Sequence, residues 1–457
     1  IPPGCRPPRS AADEHDLRAM NRPAAAPIAV LVLALAVVVA GSSASILASP
    51  APSAGRSHGG TVASPEPLAS GAVADRPREV FGFLPYWSMA DWTDGYLRYD
   101  LLTTIAFFGI GVADNGALRR SGPGWTAFMS DRATTIIDHA HAAGVRIEIT
   151  FESFGTTHNH RFLSSPTARD RFVGEASALI AQRGIDGADL DVEEVASADR
   201  ADFALLVGAT ADALHGSDPA SQVSVSTNGN VSGAKMAAAA VSAGADRTFL
   251  MGYSYRVGAT VTTGSVAPIT GVGTALDLVA SLDLYAAAAV PADRIILGLP
   301  YFGITWPTLT SDLHAPRQPD SAKLGRGRSF RPSSIAASGP PAGSVLDHDP
   351  IEASARYTWF DAKRKTWFQT YFDDPSTLAP KQDLAVQRGL AGIGMWALGD
   401  DHGAPGYWET VAATLGVGPP YVPPSPSSPP TSPSAAPSAA PSAAPSAAPS
   451  AAPSASP

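Results

Sequence analysis

The sequence has very little cysteine and little charge. Cys5 is the single cysteine in 457 residues, which excludes a disulfide framework, an iron–sulfur cluster and a cysteine-ligated zinc site. Charged residues make up 16% of the chain and apolar residues 45%, a composition typical of a globular protein with a large core. The net charge is −9 and no run of lysine or arginine occurs, which argues against nucleic-acid binding.

The two ends of the chain differ in composition from its middle. Met20 is predicted to be the start, which leaves residues 1–19 as an untranslated or non-native leader. Arg22 and the apolar residues 28–40 then predict a signal peptide, or an uncleaved membrane anchor, over residues 20–48. Residues 49–78 are interpreted as a flexible linker and residues 416–457 as a disordered Pro/Ser/Ala tail. We therefore expect one domain over residues 79–415, secreted or associated with the cell surface.

Apolar, strand-like runs alternate with alanine-rich, helix-like stretches through this central region. The predicted strands are residues 80–84, 104–109, 146–151, 187–192, 222–227, 247–253, 294–299 and 392–398. The predicted helices are residues 131–143, 169–182, 198–214, 233–241, 275–289 and 375–387. Continuous apolar strands are typical of a parallel sheet that is buried on both faces. No glycine-rich phosphate loop follows any of them, so a (β/α)8 barrel is favoured over an open doubly wound sheet.

One connection is too long for a simple crossover. Aromatic residues alternate on both sides of the charged turn at residues 361–365, which predicts a β-hairpin. We place it in an insertion after strand seven, over about residues 308–372. Loops after barrel strands open at the carboxyl end of the barrel, so this insertion either walls the active site or packs as a surface hairpin.

The most informative segment is residues 187–193. Asp189, Asp191 and Glu193 alternate there with apolar residues, and alternate side chains of a strand share one face. The acidic face would line the barrel axis with Glu193 nearest the mouth. Carboxylates so close repel each other, so at least one should hold a proton, as a general acid requires. A calcium or magnesium site, or a solvated strand end, stays open as an alternative.

The motif Asp-Gly-Ala-Asp-Leu-Asp-Val-Glu at residues 186–193 resembles the DGxDxDxE signature of glycoside hydrolase family 18, the chitinase family. Residues 82–87, Met251 with Tyr253, and Trp396 resemble the family's motifs on strands one, six and eight. The segment around residues 367–381 is similar to bacterial spore-cortex and cell-wall hydrolases of the family. The resemblance spans about residues 79–415 and implies a retaining, substrate-assisted glycosidase.

The resemblance also implies a role for each site residue. Glu193 would be the acid, Asp191 would orient the substrate's acetamido group, Asp189 would share a proton with Asp191, and Tyr253 would bind the acetamido carbonyl. The expected substrate-binding residues are Trp396, Phe83, Tyr86, Met251 and Glu152. Two departures from the family pattern are Ser254, where the family usually has aspartate, and Glu152, which replaces a small residue at the end of strand three.

The expected ligand is a polysaccharide that contains N-acetylglucosamine, such as chitin or peptidoglycan. We expect no cofactor and no metal, and a monomer that meets a membrane only through an uncleaved anchor. The histidines at 158 and 160 have no further ligand at metal-site spacing. The alternative is a glycan-binding protein on the same barrel with weak or no catalysis, against which the intact acidic triplet argues.

Overall fold

Eight parallel strands close into a barrel in the computed structural model, which describes residues 78–320 and 324–415. The barrel strands are β1 (Glu79–Pro85), β2 (Thr104–Gly111), β3 (Arg146–Phe154), β4 (Gly187–Glu193), β5 (Gln222–Asn228), β6 (Arg247–Met251), β7 (Ile295–Pro300) and β13 (Gly392–Trp396). Each strand pairs with the next, and β13 pairs with both β7 and β1. The predicted (β/α)8 barrel is confirmed, although β6 ends two residues earlier than expected.

Helices surround this barrel. The long ones are α3 (Asp131–Ala142), α5 (Pro166–Arg183), α6 (Arg200–Ser217), α7 (Val231–Ala243), α8 (Leu278–Ala287) and α10 (Pro375–Gln387). Shorter ones are α1 (Thr93–Tyr96), α2 (Pro123–Phe128), α4 (Thr156–Leu163), α9 (Pro332–Ser338) and α11 (Tyr407–Leu415). The Ser165 side chain caps the start of α5, and Gly184 ends it in the left-handed conformation that glycine adopts without strain. Within the described ranges no helix combines the length and apolarity needed to cross a bilayer.

The insertion is larger than the predicted hairpin. It forms a five-stranded antiparallel sheet from β8 (Gly303–Thr308), β9 (Arg328–Phe330), β10 (Val345–Asp349), β11 (Ser354–Asp361) and β12 (Thr366–Phe372), in the order β10-β11-β12-β8-β9. The hairpin is β11–β12. The expected start near residue 308 was too late, because β8 already pairs with β12 and belongs to this sheet.

A buried ion pair joins the insertion to the loop that follows β6. Arg256 donates from both terminal nitrogens to the two carboxylate oxygens of Glu352, at 2.7 Å each. Glu352 also accepts the backbone N–H groups of Ser265 and Val272, both at 2.7 Å. The Arg256 and Glu352 side chains are 1% and 0% exposed, so the charges satisfy each other away from solvent.

The barrel interior is divided into an apolar half and an acidic half. The apolar half is the cluster Phe81, Phe83, Ala106, Phe249 and Ile296, with Trp396 packed against it. Gly298 and Gly394 leave room for the ring of Phe249, since a Cβ atom there would lie 2.2 and 2.1 Å from it. The acidic half lies along β3, β4 and β5, where carboxyl and hydroxyl side chains replace apolar ones.

The predicted leader, signal segment and tail, and the linker up to residue 77, lie outside the described residues. These four assignments stay predictions.

Candidate active site

The three acidic side chains of β4 follow the predicted arrangement. Asp189 is fully buried and Asp191 is 6% exposed, while Glu193 at the end of the strand is partly exposed. Ala188, Leu190 and Val192, which alternate with them, belong to the core between the barrel and its helices. The acidic side chains therefore point into the barrel and become more accessible toward its carboxyl end.

Burial shifts the protonation of the two aspartates. It raises the pKa of Asp189 to about 6, opposed by hydroxyl groups of Ser224 and Ser226 that lie 3.1 and 3.2 Å from Oδ1. Burial raises the pKa of Asp191 well above its usual range, and the negative charges of Glu193, Asp189 and Glu152 add to the effect. At neutral pH this arrangement favours an ionised Asp189 beneath a protonated Asp191.

One oxygen of Asp191 has no hydrogen-bond partner. Oδ1 is buried and finds neither a donor nor an acceptor among the described residues. A buried polar atom of this kind is unfavourable unless a ligand satisfies it. The atom is thus available to an N–H or O–H group of a bound molecule.

Glu193 is held at the mouth by two amides. The Asn228 side chain donates to Oε2 of Glu193 at 3.4 Å from the end of β5. Asn159 on α4 donates to the backbone carbonyl of Glu193 and is itself in contact with Ser153 Oγ at 2.6 Å. The strand end is therefore fixed while the carboxyl group stays accessible, the condition for a residue that transfers a proton to a ligand.

Trp396 provides an aromatic surface at the end of β13. Its ring lies 4.7 Å from that of Phe108, nearly perpendicular to it, and 5.4 Å from that of Phe83 at an angle of 62°. Trp396 is partly exposed, whereas Phe83 is 2% exposed and packs beneath it. Phe83, which we expected to bind substrate, is thus buried against the Trp396 ring, and its contact with substrate stays a prediction.

The other predicted binding residues lie around this mouth. Met251 and Tyr253 are partly exposed at and just beyond the end of β6, and the Tyr253 ring is 5.8 Å from that of Phe302. Tyr86 follows β1 and packs edge-on against Trp87 at 4.8 Å. Ser254 is exposed, with a φ of 61°. The structure thus brings Met251, Tyr253 and Tyr86 to the end of the barrel that carries Glu193.

Glu152 stands beside the triplet. It pairs in register with Asp191 across β3 and β4. Burial raises the pKa of Glu152 to about 7, opposed by the positive charge of Arg119. Burial also raises the pKa of Tyr86, and the charge of Glu152 adds to that shift. Glu152 is therefore part of the acidic site rather than only a source of bulk at its edge.

Three polar residues of the acidic half were missed from the sequence. They are Glu148 on β3 and the serines 224 and 226 on β5, all at most 3% exposed. The signal was present on β3, where Glu148, Thr150 and Glu152 alternate with apolar residues as the acidic residues of β4 do. On β5 the alternation of serine with valine carries the same pattern more weakly.

A second acidic cluster occurs in the insertion. Ligand atoms of His314, Asp349 and Glu352 lie within 4.8 Å of one another, a spacing that suits a metal ion. Both oxygens of Glu352 already accept charged or backbone N–H groups, and Arg256 supplies the positive charge that a metal would bring. The chemistry of this cluster therefore fits an ion pair better than a metal site.

Comparison with known proteins gives the same assignment. The family model for glycosyl hydrolases family 18 matches residues 82–401. The sporulation-specific YdhD protein of Bacillus subtilis is 25% identical over 307 residues, which cover 65% of this chain and 66%, just under two thirds, of YdhD. A class V chitinase of Arabidopsis thaliana is 24% identical over 271 residues, 55% of this chain and 69% of its own.

Solved structures show the same fold. A chitinase from Cycas revoluta in complex with (GlcNAc)3 has a TM-score of 0.62 and 19% identity, and covers 74% of this chain and 99% of its own. The second catalytic domain of a group II chitinase from Ostrinia furnacalis has a TM-score of 0.65 and 18% identity, with 76% and 99% covered. The match of the family model to most of the described barrel, including the acidic strand β4, shows that the chain belongs to glycosyl hydrolase family 18.

Proposed function

We propose that the protein is a glycosidase that cleaves β-linked glycans containing N-acetylglucosamine, by a retaining, substrate-assisted mechanism. The proposal rests on the acidic column of β4, by which we mean the side chains of Asp189, Asp191 and Glu193, whose exposure increases toward the mouth of the barrel. A buried Asp189, a buried Asp191 with an unsatisfied oxygen and an accessible Glu193 stand in line beneath the mouth. Such a column supplies a proton donor and a separate acceptor for an amide N–H, the two groups that this mechanism requires.

In the first step, Glu193 gives its proton to the glycosidic oxygen as that oxygen leaves the anomeric carbon. The carbonyl oxygen of the substrate's 2-acetamido group forms a bond to the same carbon, which yields a cyclic oxazolinium ion. Asp191 accepts the acetamido N–H at Oδ1, and the Tyr253 hydroxyl donates to the attacking carbonyl oxygen. In the second step, ionised Glu193 takes a proton from water as the water opens the ring and regenerates the acetamido group.

The substrate class follows from the acetamido requirement. Among the solved relatives, the Cycas revoluta chitinase binds (GlcNAc)3. Trp396 is suited to pack against the apolar face of a sugar ring, and Met251 and Tyr86 lie at the same end of the barrel. The positively charged, apolar segment of residues 20–48 supports export, which would place the enzyme where chitin or peptidoglycan is found.

The direct test is hydrolysis of a chromogenic chitobioside, compared with release of fragments from peptidoglycan. Replacing Glu193 with glutamine should lower turnover by roughly 10²- to 10⁴-fold, the contribution of a general acid. Glu194→Gln is the matched control, because Glu194 is exposed and follows the acidic column with a φ of 60°. Full turnover in Glu193→Gln, or an equal loss in both variants, would remove Glu193 from its proposed role.

Substrate assistance has a test of its own. A thiazoline analogue of N-acetylglucosamine mimics the cyclic intermediate and should bind more tightly than the substrate. The matching glucoside without the acetamido group should not be cleaved. Equal cleavage of the two glycosides would contradict the mechanism while leaving glycosidase activity intact.

A further inference from the structure

Glu148 is a buried acid that the proposed mechanism does not use. It lies on β3, two residues before Thr150 and four before Glu152, on the strand face that points into the barrel. Glu148 is 0% exposed, and its Oε1 atom has no hydrogen-bond partner among the described residues. A carboxyl group in such a position is far more stable when it carries a proton.

The hydroxyl group of Ser224 connects Glu148 to the acidic column. Ser224 Oγ lies 2.5 Å from Oε2 of Glu148 and 3.1 Å from Oδ1 of Asp189. A serine hydroxyl has one hydrogen and can donate to only one of these two oxygens. The other carboxyl group must therefore supply the hydrogen of its own contact, so one of the two acids is protonated.

The surroundings decide which acid that is. Among the described residues, Asp189 has two serine hydroxyls near its carboxylate, whereas the Glu148 carboxyl group has a hydrogen bond with Ser224 alone. The charged groups that act on Glu148 are Asp189 on β4, Glu79 on β1 and Arg146 on β3. Glu79 is already bound by Arg247 of β6 at 2.6 Å. Burial dominates and raises the pKa of Glu148 well above its usual range.

We infer that Glu148 is a permanently neutral acid that donates a hydrogen bond to Ser224, so that the single hydrogen of Ser224 is directed to the carboxylate of Asp189. Glu148 is in this sense a positioning residue: it touches no substrate and acts through Ser224. These two successive hydrogen bonds, from Glu148 to Ser224 and from Ser224 to Asp189, keep Asp189 ionised. The charge of Asp189 in turn helps Asp191 to keep its proton. An ionised Glu148 would instead compete for the Ser224 hydrogen and deprive Asp189 of it.

Infrared spectroscopy tests the protonation state without reference to activity. At pH 8, the difference spectrum of the full chain minus Glu148→Gln should contain the C=O stretching band of a carboxylic acid. Ser224→Ala should move that band to higher frequency, since the acid then loses its hydrogen-bond acceptor. A difference spectrum that shows only carboxylate bands, or a band that Ser224→Ala does not move, would overturn the inference.

Kinetics test the positioning role, and this part rests on the proposed function. Glu148→Gln keeps a donor to Ser224, so the profile of kcat/KM against pH should be unchanged. If Glu148 were ionised, the same change would remove a negative charge and move the acidic limb to lower pH by about one unit. Such a movement would refute the inference.

Glu148→Met removes the donor and should lower kcat/KM by roughly two- to tenfold, the value of one buried hydrogen bond. The loss should vanish in a Ser224→Ala background and persist in a Ser226→Ala background, because the Ser226 hydroxyl bonds to Asp189 and has no bond to Glu148 in the described part of the chain. Equal losses in both backgrounds would exclude a hydrogen-bonded connection from Glu148 to Asp189 through Ser224. If wild type cleaves no glycan, the proposed function fails, and the infrared result still decides the state of Glu148.

Discussion

Removing one partner of the buried ion pair of Arg256 and Glu352 should strongly destabilise the fold. Replacing Arg256 with methionine leaves a carboxylate that is 0% exposed without its counter-charge. Loss of one partner of a buried pair destabilises a protein by about 3–5 kcal/mol, a large part of a total of roughly 5–15 kcal/mol. We therefore expect Arg256→Met to lower the free energy of unfolding by that amount in urea denaturation.

Two further variants sharpen this test. Arg256→Met combined with Glu352→Gln removes the stranded charge and keeps one acceptor for the N–H groups of Ser265 and Val272, so it should recover part of the loss. Arg388→Met is the matched control, because Arg388 pairs with Asp283 on the surface, where both side chains are at least 36% exposed. An exposed pair contributes about 0–1 kcal/mol. If Arg256→Met destabilises no more than this control, the pair is not buried in solution.

Three more changes test the acidic site. Asp189 has a raised pKa of about 6, so the folded state holds a proton that the unfolded state releases between about pH 4 and pH 6, and stability falls as pH rises through that window. Asp189→Asn should remove this penalty and abolish activity. Its free energy of unfolding should be roughly 3 kcal/mol higher than that of wild type at pH 8 and equal to it near pH 3.5. An unchanged free energy of unfolding at pH 8 would contradict the raised pKa. Glu152→Gln should move the alkaline limb of kcat to lower pH, since ionised Glu152 raises the pKa of Asp191; an unchanged limb would show that Glu152 does not act on the protonation of Asp191. Tyr253→Phe should lower kcat by roughly 10²- to 10³-fold with an unchanged melting temperature, and a loss confined to KM would argue against a role in the transition state.

Continuous apolar runs made the barrel predictable. Strands such as β4 and β7 are buried on both faces, so their sequences differ clearly from the polar loops beside them. The insertion was only partly predictable, because β9 and β10 are short and largely exposed and thus have no apolar pattern to detect. β9 pairs with β8, which lies well before it in the sequence, whereas β10 pairs with its neighbour β11.

The acidic triplet of β4 was predictable because three carboxyl groups alternate within one strand. Glu148 belongs to a similar alternation on β3, but its link to Ser224 was not predictable, since that link forms only when β3 and β5 lie on either side of β4. The surroundings of Phe83 were equally hidden. The resemblance placed it at the end of β1, and only the structure shows that it is 2% exposed and lies 5.4 Å from the Trp396 ring of β13.

The ring of Phe249 has an evolutionary consequence. It occupies space that Gly298 and Gly394 leave empty, and a side chain at either glycine would meet it at about 2 Å. The ring also packs against Phe81 and Phe83, so it could not make room for such a side chain without disturbing the apolar half of the barrel. In an alignment of relatives, positions 249, 298 and 394 should therefore covary, with a larger residue at either glycine position only where a smaller one replaces the phenylalanine. Selection on the packing of the barrel would thus act on two residues that lack side chains.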